Sequence, residues 1–142
     1  MGRNSLTMIL LTVSSVITCA CAVSGAGNYT EERLRVRIAL AWSYFANGNF
    51  EAYVTMWSAR KRPTFRETEE DWQKTKRNWQ LFLDREKPAA EVLDVQISET
   101  RARAKMKVSI LEKGGARVDE VVYDYWIFEN EDWFLDDAGR TG

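Results

Sequence analysis

The chain has 142 residues, 20 Lys and Arg against 21 Asp and Glu, and no histidine. Charges of both signs are interspersed, which gives no general electrostatic case for nucleic acid. The two cysteines, Cys19 and Cys21, lie near the N-terminus, so the rest of the chain is closed to disulfides, to thiolate or imidazole metal sites, and to Cys or His nucleophile–base pairs. No P-loop, dinucleotide-binding glycine pattern or EF-hand loop is present, and no cofactor or metal is expected.

Residues 1–27 read as an export signal. Arg3 lies in a short n-region, an apolar and hydroxyl-rich run extends from Leu6 to Ile17, and small residues surround Cys19-Ala20-Cys21-Ala22, the layout of a secretory signal peptide. A run of about twelve residues is too short to cross a hydrocarbon core of about 30 Å. Val16-Ile17-Thr18-Cys19 resembles the lipobox of bacterial lipoproteins, departing from it in Thr18, and Thr18-Cys19-Ala20-Cys21 is a second candidate. The resemblance implies lipidation at Cys19 or Cys21, Ser24–Gly27 as a flexible tether, and a protein anchored to a membrane of the bacterial cell envelope. Cleavage after Ala22 or Ala26 would instead release a periplasmic or secreted protein.

Residues 28–142 read as one domain. Asn28 and Glu31 suit the N-cap and N3 positions of a helix whose apolar face carries Leu34, Ile38, Ala41, Trp42 and Phe45, and Asn47-Gly48 ends it. Asn49 caps a second, shorter helix with Phe50, Tyr53, Val54 and Trp57 on one side, stopped by Arg60–Pro63. Thr68-Glu69-Glu70-Asp71 starts a third helix, with Trp72, Thr75, Trp79, Phe82 and Leu83 on one face and an end at Lys87-Pro88. Tryptophans at this spacing suit a helical core as well as a ligand platform.

From Ala89 the period becomes alternating. Val92–Ile97 is a first strand, and Arg101–Ile110 alternates basic and apolar residues without a break. Gly114-Gly115 suits a tight hairpin turn, Val118–Phe128 a third strand, and Trp133–Leu135 a short fourth after Glu129–Asp132. The predicted class is α+β: three N-terminal helices packed on a four-stranded antiparallel meander.

Asp124 stands among apolar and aromatic residues in Val121–Phe128. A two-residue turn at Gly114-Gly115 would place it opposite Lys105, as a structural ion pair worth about 0.2–1 kcal/mol. The same register puts Arg103 opposite Trp126 and sets Tyr123 and Tyr125 on the inner face. A slip of one residue reverses every face. In the two-residue register Trp126 and Phe128 form an exposed aromatic surface beside Arg103, a candidate interface for a homodimer.

The order of elements, together with Tyr44-Phe-Ala-Asn-Gly-Asn-Phe-Glu-Ala52 and Trp126-Ile-Phe-Glu-Asn-Glu-Asp-Trp-Phe134, resembles the nuclear transport factor 2-like (SnoaL-like) superfamily over about residues 29–137. The resemblance implies a cone of helices enclosed by a curved sheet, in a superfamily of isomerases, dehydratases and cyclases as well as non-catalytic binding and assembly domains. No catalytic motif carries over, and no catalytic residue is nominated. The leading expectation is a non-enzymatic envelope module binding a hydrophobic small molecule or a protein partner, with Trp42, Trp57, Trp79, Tyr123 and Tyr125 as cavity candidates. The alternatives are a small isomerase- or hydratase-type enzyme using a cone carboxylate and tyrosines, favoured if Asp124 points inward, and a dimeric assembly protein using the Trp126/Phe128 face.

Overall fold

A computed structural model describes residues 26–141; the segment expected to be an export signal, through residue 25 and with Cys19, Cys21 and Ala22, lies outside them. Three helices, α1 (Glu31–Ala46), α2 (Phe50–Thr55) and α3 (Glu69–Glu86), precede four strands, β1 (Ala89–Ser98), β2 (Arg101–Leu111), β3 (Arg117–Glu129) and β4 (Asp132–Arg140). The strands form one antiparallel sheet in sequence order. The α+β class and the N-terminal placement of the helices are as the periodicities predict.

Each helix begins where a short polar side chain can take an orphan N–H. Thr30 Oγ1 accepts from Arg33 N, Asn49 Oδ1 from Ala52 N, and Thr68 Oγ1 from Asp71 N. The first cap is thus Thr30; Asn28 instead donates its side-chain amide to the Glu131 carbonyl (2.9 Å). The second helix is shorter than its apolar spacing suggests. It ends at Thr55 because the next residues pair with the sheet: Leu135 N donates to Met56 O and Ser58 N to Leu135 O, both at 2.8 Å. Arg62–Phe65 form a separate 3-10 turn.

The β2–β3 hairpin departs from the expected register. Its loop holds three residues, Lys113 to Gly115, closed by Glu112 N donating to Ala116 O and Gly115 N to Glu112 O. Gly114 and Gly115 both have positive φ (105° and 88°), a conformation that glycine takes without steric cost. The extra residue moves β3 by one position, and because side chains alternate, every β3 side chain changes face. Asp124 pairs with Ala104, Trp126 with Ala102 and Tyr123 with Lys105. The Lys105–Asp124 ion pair is therefore not formed, Tyr123 and Tyr125 point away from the helices, and Trp126 is inside, 1% exposed. On β2 the expected faces hold: Ala102, Ala104, Met106 and Val108 are buried.

The β3–β4 turn has two central residues, Asn130 and Glu131, both at positive φ. It pairs Phe128 with Trp133 and Trp126 with Leu135 on the inner face. Bulges interrupt the pairing at Val92/Asp94 and around Tyr125, and such bulges bend a sheet. The core joins Leu34, Ile38 and Ala41 of α1 to Met106, Trp126, Trp133 and Leu135 of the sheet. A second cluster, Phe45, Phe50, Val54 and Trp72, ties α3 to the other helices.

Candidate ligand-binding site

Between the helices and the sheet lies a cavity of about 270 Å³. It is somewhat smaller than drug-sized sites of roughly 300–1,000 Å³, and so suits a small molecule. From α1 come Trp42 and Phe45, from α2 Tyr53, and from α3 Phe82. The floor is sheet, and it holds Asp124 and Trp126 of β3. Glu120, two turns of the pleat before Asp124 and on the same face, is exposed at the rim. Among the described residues lining the cavity there is no lysine or arginine.

Asp124 is 7% exposed and reaches the cavity at a break in the β3–β4 pairing. Its Oδ1 accepts the backbone N–H of Gly139 at 3.0 Å; Gly139 sits at φ 70° in the bulged end of β4. Among the described residues Asp124 makes no salt bridge, and its Oδ2 accepts no hydrogen bond. Burial pushes the carboxyl up to about 6; the Gly139 N–H opposes the rise and the nearby Asp137 carboxylate adds to it. Burial also pushes the Tyr53 phenol well above its ordinary value, with the Asp124 charge acting in the same direction. A carboxyl that titrates near neutrality beside a neutral phenol, within an aromatic wall, can accept a hydrogen bond, take up a proton or hold a cation.

The predicted site residues separate. Of the five cavity candidates, Trp42 alone lines the cavity. Trp57 is buried in the core behind Tyr53, and Trp79 packs among Phe45, Phe50 and Tyr53. Tyr123 and Tyr125 lie on the outer face under Arg103 and Arg140, at 5.1 and 5.6 Å from ring centroid to guanidinium. The interface candidates also part: Arg103 is exposed and hydrogen-bonds Gln96, whereas Phe128 packs on Tyr29 and Trp133. The exposed Trp126/Phe128 surface therefore does not exist in the fold, because the register turns it inward. Sequence reasoning placed Tyr53, Phe45 and Phe82 on apolar helix stripes without assigning them to a cavity. Nothing in a helical stripe distinguishes the residue that meets the sheet from the one that stops short of it.

Among the described residues no group of His, Cys, Asp or Glu is arranged to hold a metal ion, and no helix is long and apolar enough to cross a membrane. No protein-family model matches the chain, and no curated protein matches it in sequence. It is similar in structure to RPA3114, a SEC-C motif-containing protein from Rhodopseudomonas palustris, with a TM-score of 0.57 and 11% identity over 71% of this chain and 73% of that one. Two further solved structures share less of the geometry. They are AclR from Streptomyces galilaeus, for which a hydroxylase activity has been suggested (TM-score 0.49, 13% identity, 78% and 76% covered), and a protein from Xanthomonas campestris named for a calcium/calmodulin-dependent protein kinase II association domain (0.47, 12%, 78% and 86%). At 11% identity the first shows a shared α+β fold.

Proposed function

We propose that this protein is a binding domain for a small, largely apolar molecule, held in the cavity between helices and sheet with Asp124 as its polar anchor. One observation supports the reading above others: a buried carboxylate that accepts a single N–H among the described residues lines an aromatic-walled space. A buried charge left so poorly compensated costs free energy, and a ligand donor at Oδ2 recovers part of it. Three helices against one face of a bulged sheet fit a nuclear transport factor 2-like cone. The lipobox-like segment at Cys19 and Cys21 fits attachment to the bacterial cell envelope. The test is titration with indole, a small aromatic with one N–H, followed by amide and indole NMR resonances. Saturable shifts confined to Gly139, Trp126 and their neighbours are expected; shifts that are absent or spread over the surface defeat the proposal.

A second reading, proton transfer by Asp124 on the bound molecule as in an isomerase, is favoured by the carboxyl's rise to about 6, where a general acid or base works near neutral pH. It predicts deuterium uptake from solvent at the carbon next to the carbonyl of a bound small ketone such as cyclohexanone. Asp124→Asn should slow that uptake about 100-fold or more. Uptake no faster than in buffer, or unaffected by the substitution, would exclude it.

A further inference from the structure

The cavity differs from the rest of the molecule in where its cations are. Asp132 is held by Arg33 through two hydrogen bonds (3.0 and 2.7 Å), with Arg37 3.6 Å away. Asp136 is held by Arg60, with Arg101 at 3.7 Å. Aromatic faces elsewhere are likewise served: Arg37 and Arg62 lie over Phe134, Arg66 and Lys76 over Trp72, and Arg103 over Tyr123. In the cavity both kinds of partner are lacking. Asp124 has no salt bridge among the described residues, Glu120 adds a second carboxylate at the rim, and the rings of Trp42, Phe45, Tyr53, Phe82 and Trp126 carry no cation from the described residues.

We infer that the cavity takes a small organic cation, a primary or alkylated ammonium on an apolar body, with its charge set between Asp124 and the aromatic wall. This rests on the cavity-binding reading above and names the chemical class of its ligand. An ammonium satisfies three demands at once. It donates to Oδ2, it neutralises a carboxylate withdrawn from water, and it meets the negative faces of the rings, where a desolvated cation is bound most strongly. A carboxylate or phosphate ligand would meet two negative side chains and no counter-charge. A neutral ligand would leave the Asp124 charge uncompensated.

The experiment is calorimetric titration of the full-length chain at pH 8 with three probes of one shape: benzylammonium, benzyl alcohol and benzoate. Benzylammonium should bind about tenfold more tightly than benzyl alcohol, with benzoate weakest. Asp124→Asn should abolish most of that preference, the affinity for benzylammonium falling about tenfold more than that for benzyl alcohol, and thermal melts establish that the variant is folded. Glu120→Gln, at an exposed position that does not threaten folding, should reduce the preference about threefold. Equal affinity for the amine and the alcohol, or a preference that survives Asp124→Asn, overturns the cation assignment and leaves apolar binding in place. Failure of all three probes to bind overturns the cavity reading as well.

Discussion

Asp124 and Asp136 are two carboxylates buried on adjacent strands of one sheet, at 7% and 2% exposure, and their surroundings drive them in opposite directions. Asp136 accepts from Ser58 Oγ and from Arg60 Nε, each at 2.7 Å, and these partners hold its carboxyl below the ordinary range. Asp124 has one backbone N–H, and burial prevails. The lesson is that burial does not decide a carboxylate's role; the partners supplied with it do. Asp136 fastens the segment after α2 to β4, while Asp124 has no side-chain partner among the described residues.

The comparison breaks most completely if the register is changed. Deleting Gly115 leaves a two-residue turn, which would return β3 to the opposite parity, expose Trp126 and place Tyr123 and Tyr125 against the helices. Loss of the cooperative thermal transition, followed by near-ultraviolet circular dichroism, is expected; a variant that melts like the parent would show that the loop does not set the register.

The next effect is in the pH dependence of stability. With Asp124 at about 6 in the folded chain and about 3.9 unfolded, the folded state keeps a proton that the unfolded state has released. Its stabilising contribution is therefore full below about pH 4 and is lost as pH rises through 6, by about 3 kcal/mol. Urea unfolding of wild type and Asp124→Asn at pH 4 and pH 7.5 should show the variant gaining about that much relative to wild type at the higher pH. A difference that does not vary with pH contradicts the assignment. Asp136 behaves with the reverse sign: its contribution is present above the ordinary carboxyl range and is lost as pH falls through its depressed folded value. Asp136→Ala should cost about 2 kcal/mol at pH 7 by leaving the Ser58 hydroxyl buried without its acceptor. The smallest change is expected from Tyr53→Phe, under about 1 kcal/mol, because the Tyr53 hydroxyl makes no hydrogen bond among the described residues; the same urea unfolding at pH 7 measures it.

Much of the fold was legible in the chain. The polar caps at Asn49 and Thr68 and the basic–apolar alternation of Arg101–Ile110 each state a period or a boundary, and each was found in place. The site was not legible, and the reason lies in Val121–Phe128. On β2 a lysine or arginine marks the outer face at every second position from Arg101 to Lys107. On β3 both faces are apolar or aromatic, so the alternation carries no sign, and the parity passes entirely to the turn. Gly114-Gly115 looks like the whole of that turn, but Lys113 belongs to it as well. One uncounted lysine thus exchanged the expected positions of Asp124 and the two tyrosines. The end of α2 was obscured for a related reason: its apolar spacing runs on through Trp57, and what stops the helix is a strand about eighty residues later in the chain.

That late pairing also bears on how the protein behaves when it is stressed. An unpaired sheet edge is a template for strand addition by another chain. At β4 the backbone of Met56 and Ser58 occupies the edge beside Leu135, whereas β1 has no comparable backbone pairing on its open side among the described residues. The two edges therefore present different obstacles to strand addition: at β1 an incoming strand would meet the irregularity at Val92/Asp94, and beside Leu135 of β4 it would have to displace the backbone of the segment that follows α2.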